Sequence, residues 1–394
     1  MAERRLKVLM LAPTPYFSDR GCHVRIYEEA RAIQALGIDV RIVTYHLGRD
    51  MPGIPTYRSA NVPWYKKLTA GPSWHKPYLD ILLLFKALQL AKTFKPDLIH
   101  AHLHEGAFIG LILKKWLAVP LVFDCQGSLT GEIIDHGFTK SGSVVHKGFS
   151  FLEKRINNAA DFIVTSSGAG AEELVRHWQV PAAKVKAVID GVDTEVFLPY
   201  PKQEGRLALH LPLEALLVVF LGLLNRYQGL DILLESIALM KARQRQIHFL
   251  IMGFPEEQYV EKCRELGLEQ MVTFTGRIEY AQAPLYLSAG DIAVSPKISL
   301  TEANGKLFNY MACGLPTVVF ETPINREILG DSGVYARYAD AEDLAARIET
   351  LAFDAPWRQA LAVQVREKAE RDHSWRARGE QLVEIYLKAV RSEK

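Results

Sequence analysis

The sequence predicts an α/β protein of GT-B-like layout, two Rossmann-like parallel-sheet domains in tandem, and three observations carry that prediction. Short aliphatic runs alternate with longer helical patterns along nearly the whole chain, a composition break near residue 200 separates two such series, and 394 residues at roughly 150 per domain leave room for two or three domains. With 49% hydrophobic and 23% charged residues the chain is globular, neither disordered nor collagen-like. The 47 basic residues against 45 acidic ones leave a net charge of +2, too balanced for a protein whose partner is a nucleic acid. The charge is unevenly spread: residues 1–200 hold 24 basic and 19 acidic residues (+5), and the remainder 23 and 26 (−3).

KVLMLA (7–12) reads as the first strand, because the charged residues before it lead into a short apolar stretch without the small residues of a leader cleavage site. The helical pattern VRIYEEARAIQALG and the strand DVRIVTY follow. Residues 64–95, WYKKLTAGPSWHKPYLDILLLFKALQLAKTFK, mix aromatics, lysines and an apolar helical face. Two readings fit this stretch: a core-facing amphipathic helix, or a segment that docks on a membrane or a lipid-linked acceptor. Further strands are expected at 97–100, 121–124, 161–165 and 185–189. The proline- and charge-rich LPYPKQEGR then marks a linker, placing a first domain at 1–200 and a second at 201–372.

In the second series LLVVFLG (216–222), IHFLIMG (247–253), VTFTG (272–276), DIAVSP (291–296) and PTVVFE (316–321) form a second parallel sheet. The terminal helix, within 373–394, is expected to return to the first domain. Sheets of this kind bind ligands beyond the carboxyl ends of their strands, so the function is sought in the loops that follow strands, in a cleft between the domains. No apolar run approaches the ~20 residues of a membrane span. The four cysteines show no CxxC or metal-ligand spacing, as expected of a reduced, cytoplasmic chain.

Several strand exits carry chemistry. The first ends in APTPYFSDRGCHVRIYEE, which lacks GxGxxG but places Gly21 at a helix start, where a ligand can approach the backbone and anions are favoured, with His23 and Arg25 expected to be exposed beside it. DLIHAHLHEG presents His100, His102 and His104 on one side if the strand persists; no second set of ligands accompanies them, so hydrogen bonding to a polar ligand is expected in place of a metal. FDCQGSLTGE carries Asp124, Gln126 and Gly127, and Asp124 has the bland reading of a loop cap. In the second series, FLGLLNRYQG offers Gly222, Asn225, Arg226 and Gly229 in a loop that resembles a phosphate loop without Walker spacing. The densest cluster is SPKISLTEANGKLFNYMACGLP, in which Lys297, Glu302, Asn304, Gly305 and Lys306 crowd one loop and helix start; a sugar hydroxyl and a diphosphate suit this chemistry, and capping by Thr301 and Glu302 is its structural alternative.

RAIQALGIDVRIVT, KPDLIHAH, AADFIVTSS, VKAVIDGVDTEVFLP, YQGLDILLESI, VTFTGRI, SPKISLTEANGKLFNYMACGLPTVVF and DHSWRARGEQLVEIY, in this order and spacing, resemble the retaining GT-B glycosyltransferases of family 4, over nearly the whole chain. The resemblance implies transfer of a sugar from a nucleotide diphosphate, UDP- or GDP-linked, to a hydroxyl of a glycan or lipid-linked acceptor, with no metal or other cofactor. By position it makes His102 the histidine near the transferred sugar and Glu302 the first glutamate of a paired motif, the two catalytic candidates. Gly21, Gly222, Asn225, Arg226, Lys297, Asn304, Gly305, Lys306 and Asn309 fall on the donor side; His23, Arg25, His104 and Gln126 fall on the acceptor side.

Against the family pattern, Leu223 and Gln228 stand where an Arg and a Lys commonly meet the diphosphate, Asn309 replaces the second glutamate, and Asp190 replaces the asparagine before Gly191. Arg226 and Lys306 are the candidates to restore the lost charge. The expected mechanism is same-face attack with electrostatic stabilisation of the leaving phosphate, because no glycosidase-like pair of carboxylates is present. The departures motivate a second function class, a catalytically altered scaffold that serves as a binding or partner subunit or takes a non-standard donor; a sugar-nucleotide epimerase is a third. The expected location is cytoplasmic, with peripheral contact at the inner face of a membrane left as an open alternative.

Overall fold

The computed structural model describes residues 5–18, 21–68, 73, 75–135, 139–300 and 304–392. Contacts divide the chain into two compact units, one of Met1–Asp190 with Trp375–Lys394 and one of Gly191–Leu300 with Asn304–Ser374.

The first unit contains strands β1 (Lys7–Ala12), β2 (Asp39–Thr44), β3 (Thr56–Arg58), β4 (Leu98–His102), β5 (Leu121–Cys125), β6 (Phe162–Thr165) and β7 (Val185–Ala187). They form one parallel sheet in the order β3-β2-β1-β4-β5-β6-β7. Between them run α1 (Gly21–Ala35), α2 (Lys76–Phe94), α3 (Leu103–Leu117), α4 (Leu129–Asp135), α5 (Val144–Ala159) and α6 (Gly168–Arg176).

The second unit contains α7 (Lys202–Ala208), β8 (Leu216–Leu221), α8 (Leu230–Ala242), β9 (Ile247–Met252), α9 (Glu257–Glu265), β10 (Val272–Phe274), α10 (Ala283–Ser288) and β11 (Ile292–Ser295). It continues through α11 (Lys306–Ala312), β12 (Thr317–Phe320), α12 (Pro323–Leu329), β13 (Gly333–Ala336), α13 (Ala341–Phe353) and α14 (Ala355–Asp372). Its parallel sheet has the order β10-β9-β8-β11-β12-β13. The last helix, α15 (Trp375–Ser392), belongs to the first unit.

Val8 to Leu11 of β1 are all fully buried, as a central parallel strand covered on both faces requires. One face of this sheet, with Ile99, Ala101 and Phe123, packs on Leu79, Leu83 and Ala87 of α2, Ala107 and Leu113 of α3 and Ile156 of α5. The other face is covered by α1 and α15, whose buried residues Trp375, Leu382, Ile385, Tyr386 and Ala389 recur at helical spacing. The segment 64–95 thus supplies a core-facing helix, although α2 also leaves Ile81 and Phe85 exposed.

The unit boundary falls at Asp190/Gly191, ten residues before the prolines that mark it in the sequence. Val192 N–H donates to the His373 carbonyl at 2.8 Å, and Arg366 of α14 donates to the carbonyls of Thr194 and Phe197 at 3.0 and 2.7 Å, so the chain from Gly191 onward is already tied to the second unit. Strands β3 and β13 were not legible because their residues, Thr-Tyr-Arg and Gly-Val-Tyr-Ala, carry no run of β-branched or aliphatic side chains, whereas the equally short edge strands β7 and β10 lie in such runs.

Strand order reverses between β1 and β4 in the first sheet and between β8 and β11 in the second. Crevices open at the carboxyl ends of such switch points, and the loops there are the ones that carry polar residues in the sequence. Close packing of α15 on α1 relies on Gly379, where an added Cβ would lie 2.9 Å from Ala32 Cβ and 3.1 Å from the Ala32 carbonyl carbon. We expect Gly379→Leu to cost about 1–3 kcal/mol in a urea unfolding titration; an unchanged midpoint would mean that α15 does not bear on the stability of this unit.

Candidate active site

At the switch point of the first unit the buried Asp124 carboxylate at the end of β5 collects donors from three elements. Arg25 of α1 approaches it twice, Nε to Oδ2 at 3.0 Å and Nη2 to Oδ1 at 2.9 Å; His102 Nδ1 lies 2.9 Å from Oδ2, and Gln126 Nε2 donates to Oδ2 at 2.7 Å. Arg25 also donates from Nη1 to Asp190 Oδ1 at 2.6 Å and to the Val188 carbonyl at 3.0 Å, and its Nη2 lies 2.9 Å from Glu29 Oε1, one helical turn along.

Burial opposes the charges in this cluster, yet the Arg25 guanidinium, followed by the His102 hydrogen bond, holds Asp124 far below the usual carboxylate range. Burial likewise opposes the Arg25 charge, but Asp124, then Glu29 and Asp190, keep its pKa well above the ordinary value. Glu29 is pushed the other way, well above its ordinary value, by burial first; Arg25 lowers it, while Asp124 and Asp190 raise it. The cluster therefore holds Asp124 ionised against Arg25, with Asp190 as a second partner of the guanidinium, while burial disfavours charge on Glu29.

Because an ionised carboxylate accepts hydrogen bonds and cannot donate, His102 carries its hydrogen on Nδ1, and the buried Nε2 is left as an acceptor without a partner among the described residues. His100 stacks on His102 with ring centroids 4.5 Å apart, and its Nδ1 lies 2.5 Å from the Tyr386 hydroxyl of α15. Burial, followed by His102, lowers the His100 pKa well below its ordinary value, so the ring is neutral and shares a single hydrogen with the Tyr386 hydroxyl, in the direction its tautomer sets. Ligating atoms of Glu29, His100, His102 and Asp124 lie within 4.8 Å of one another, a spacing a metal ion could use. The Arg25 guanidinium, 2.9 Å from an oxygen of each carboxylate, already supplies a positive charge there.

At the switch point of the second unit, β8 ends at Gly222, whose φ of 153° and lack of a side chain let Lys306 approach: an added Cβ would lie 2.7 Å from Lys306 Nζ. That amine donates to Gln228 Oε1 at 2.6 Å and lies 4.3 Å from the Phe220 ring centroid. Tyr310, one turn further along α11, fixes the helix against β8 by accepting from Leu221 N–H at 2.8 Å. The loop after β8 is locked to the exit of β11: Ile298 N–H donates to the Tyr227 carbonyl at 2.9 Å, and a Cβ on Gly229 would lie 1.8 Å from the Pro296 carbonyl oxygen. Burial, then the neighbouring Lys297, holds Lys306 well below the usual lysine pKa.

Several sequence-predicted residues take other places. His23 and Arg25, expected at the surface, are buried: Ser18 N–H donates to His23 Nδ1 at 3.0 Å, and Arg25 sits in the charge cluster. His104 does not share a side with His100 and His102, because β4 ends at His102; its ring packs on Phe123 from the opposite face of the sheet, with Nε2 3.5 Å from Glu153 Oε1. Asp124 takes side-chain donors and does not cap a loop. Asn225 accepts from Gln228 N–H at 3.1 Å and so caps a turn, and Asn304 is buried, accepting from Ser295 and donating to Asn325 at 3.1 and 3.0 Å.

Arg226 is exposed, Gly305 precedes α11, and Asn309 is half-buried on α11. Lys297 is buried. At Gly21 an added Cβ would meet nothing within 4 Å, so the protein's own packing does not require glycine there. Thr301 and Glu302 lie outside the described residues. Glu29, Asp190 and Tyr386 were missed as members of the first cluster; the i, i+4 pairing of Arg25 with Glu29 on an otherwise core-facing helix was the available signal. Gln228, read in the sequence as a lost charge, is the acceptor that holds Lys306.

Removing one partner of a buried ion pair leaves the other uncompensated, so Asp124→Asn should cost about 3 kcal/mol at pH 7, whereas Glu29→Gln, which removes a charge that burial already disfavours, should cost less than about 1 kcal/mol. Asp124 has a depressed folded pKa, so its contribution is complete above the unfolded value of about 4 and is lost as the pH falls below it. Glu29 has the opposite sign and stabilises less as the pH rises. Urea midpoints of both variants from pH 3.5 to 8 measure this, and equal costs for the two substitutions would contradict the assignment of charge.

The family described as glycosyl transferase 4-like domain matches residues 20–191, and that described as glycosyl transferases group 1 matches residues 215–354. A D-inositol 3-phosphate glycosyltransferase of Thermobispora bispora is 26% identical over 393 aligned residues, covering 94% of this chain and 90% of that protein. Among solved structures, sucrose-phosphate synthase of Thermosynechococcus elongatus superposes with a TM-score of 0.83 at 19% identity, covering 98% of this chain and 100% of that one. Anabaena Alr3699/HepE in complex with UDP-glucose does so with a TM-score of 0.79 at 19% identity, again covering 98% and 100%. With both family matches falling on the two parallel-sheet units and their switch-point residues, the chain belongs to the group 1 glycosyl transferases, GT-B glycosyltransferases of family 4.

Proposed function

We propose that this glycosyltransferase moves a sugar, with retention of configuration, from a nucleotide diphosphate to a hydroxyl of a glycan or a lipid-linked acceptor. The observation that carries the reading is Lys306, a half-buried amine held by Gln228 against the glycine at the end of β8. Its charge is suppressed by burial and by Lys297. A diphosphate is the ligand that relieves both penalties, and negative charge developing on it as the sugar leaves is met by a fixed donor. Lys306 thereby takes the part of the charges absent at Leu223 and Gln228, with the exposed Arg226 as the second cation. Anabaena Alr3699/HepE is in complex with UDP-glucose, which makes UDP the first donor base to test.

In the first unit, His102 is assigned to the transferred sugar. Its Nε2 is a buried acceptor suited to a hydroxyl, oriented by Asp124 through Nδ1. Gly21 keeps its assignment as a place of close ligand approach, consistent with the lack of any packing reason for glycine. Glu302 keeps its assignment to the sugar hydroxyls by position, and the acceptor proton is assigned to a donor phosphate oxygen, so no metal or cofactor takes part.

Thermal unfolding in the presence of millimolar UDP, GDP, ADP and their sugar conjugates tests the donor, since a ligand that binds the native state alone raises the midpoint. A selective rise with UDP is expected; it should be absent in Lys306→Met, whose kcat/KM should fall about 100-fold. No rise with any nucleotide would favour the partner-subunit reading. Donor binding should also raise the Lys306 pKa back toward its ordinary value, so that protons are taken up as the donor binds. Calorimetry of UDP binding in buffers of different ionisation enthalpy should show this uptake in the natural chain and lose it in Lys306→Met; a buffer-independent enthalpy in both would remove Lys306 from the phosphate site.

A further inference from the structure

Helix α3, LHEGAFIGLILKKWL, is apolar nearly all round, a pattern expected of a helix covered on every side. It is not so covered. Its inner side packs in the core through Ala107, Ile109 and Leu113, but Phe108, Ile112 and Trp116, spaced four apart on the outer side, are 49%, 41% and 52% exposed. Helices α2 and α5 flank α3 on the same face of the sheet and add Ile81 and Phe85 at 53% and 64%, and Phe151 at 63%. Contiguous apolar surface of this kind on a folded unit marks an interaction site.

The exposed charges on the three helices have one sign. Lys92 of α2, Lys115 of α3, and Lys147, Lys154 and Arg155 of α5 are all exposed. Lys92, Lys115 and Lys147 have no acidic partner among the described residues, whereas Lys114 of α3 pairs with Asp161. The three helices carry three acidic residues, Asp80, Glu105 and Glu153, and none is exposed. Glu105 pairs with Lys76, and Glu153 accepts from the Leu129 and Thr130 amides. Asp80 accepts from the Tyr45 hydroxyl at 2.5 Å, and burial, helped by Glu105, pushes its pKa up to about 7, so part of its charge is lost at neutral pH. By contrast α9 of the second unit, EQYVEKCRE, mixes both signs on its surface.

From this union of exposed aromatic and aliphatic side chains with charges of one sign, we infer that the outer face of α2, α3 and α5 docks on an anionic lipid bilayer, with Phe108, Ile112 and Trp116 entering the interface and the lysines meeting lipid phosphates. A neutral protein partner would not call for a basic rim, and a second copy of the same face would bring like charges together. The expectation of membrane contact that the sequence attaches to residues 64–95 is thereby placed chiefly on α3, which that stretch does not include. The inference does not depend on the donor assignment.

Sedimentation of the full chain with vesicles of phosphatidylcholine alone, or with 30% phosphatidylglycerol, tests it. Binding to the anionic vesicles should exceed binding to the neutral ones at least tenfold and weaken in 0.5 M salt. The variant Phe108→Ser/Ile112→Ser/Trp116→Ser and, separately, Lys115→Glu/Lys147→Glu should each reduce it at least tenfold, while thermal midpoints and any nucleotide-induced shift stay as in the natural chain. Failure of the natural chain to bind anionic vesicles, or undiminished binding by both folded variants, overturns the inference. So does size-exclusion behaviour showing a dimer that the serine variant dissociates, which would assign the face to a second copy.

Discussion

The contact between Arg25 and Asp124 is the constraint on which the first unit's site depends. Two charges buried at the end of a parallel sheet survive only because each completes the other's hydrogen bonding, and the geometry that satisfies them fixes three separate elements. Arg25 sets the start of α1 against β5 and the Asp190 turn; Asp124 in turn sets the tautomer and orientation of His102. The terminal helix contributes through Tyr386, whose hydroxyl engages Nδ1 of His100, the ring stacked on His102.

The second unit solves a different problem: placing a cation where an anion is to bind without committing it to an internal carboxylate. Lys306 rests against a glycine backbone, an aromatic ring and a neutral amide, groups that hold the amine in place while leaving its charge uncompensated. Gln228 is central to this. A lysine at its position would repel Lys306, so the departure from the family pattern and the lysine of α11 are two halves of one arrangement. The charge lost from the loop after β8 is regained from the start of α11.

The outer layer of the first unit follows a third logic. Acidic side chains of α2, α3 and α5 are consumed by internal partners, and basic ones are left outward beside exposed rings. Segregation by sign is a property of the folded layer. In the linear sequence Glu105, Asp80 and Glu153 stand among the same lysines and give no hint of it.

The sequence by itself determined the two parallel sheets, most strand positions, the family, and the loops that carry polar residues, because alternation of apolar strands with amphipathic helices leaves few architectures and parallel sheets present their loops at one edge. It also determined that Lys306, His102 and Gly222 belong to those loops. Strand β3 escaped because Thr-Tyr-Arg carries no aliphatic run. Tertiary structure alone decided which polar residues remain available for a ligand. Burial of His23, Arg25 and Asn304, the capping role of Asn225, and the turn that sends His104 to the opposite face of the sheet depend on partners 3 to 165 residues away in the chain. The long-range contacts among these, Arg25 with Asp190 and His104 with Glu153, are set by the packing of strands and helices, and the local ones by the backbone turn each loop takes, neither of which residue spacing encodes.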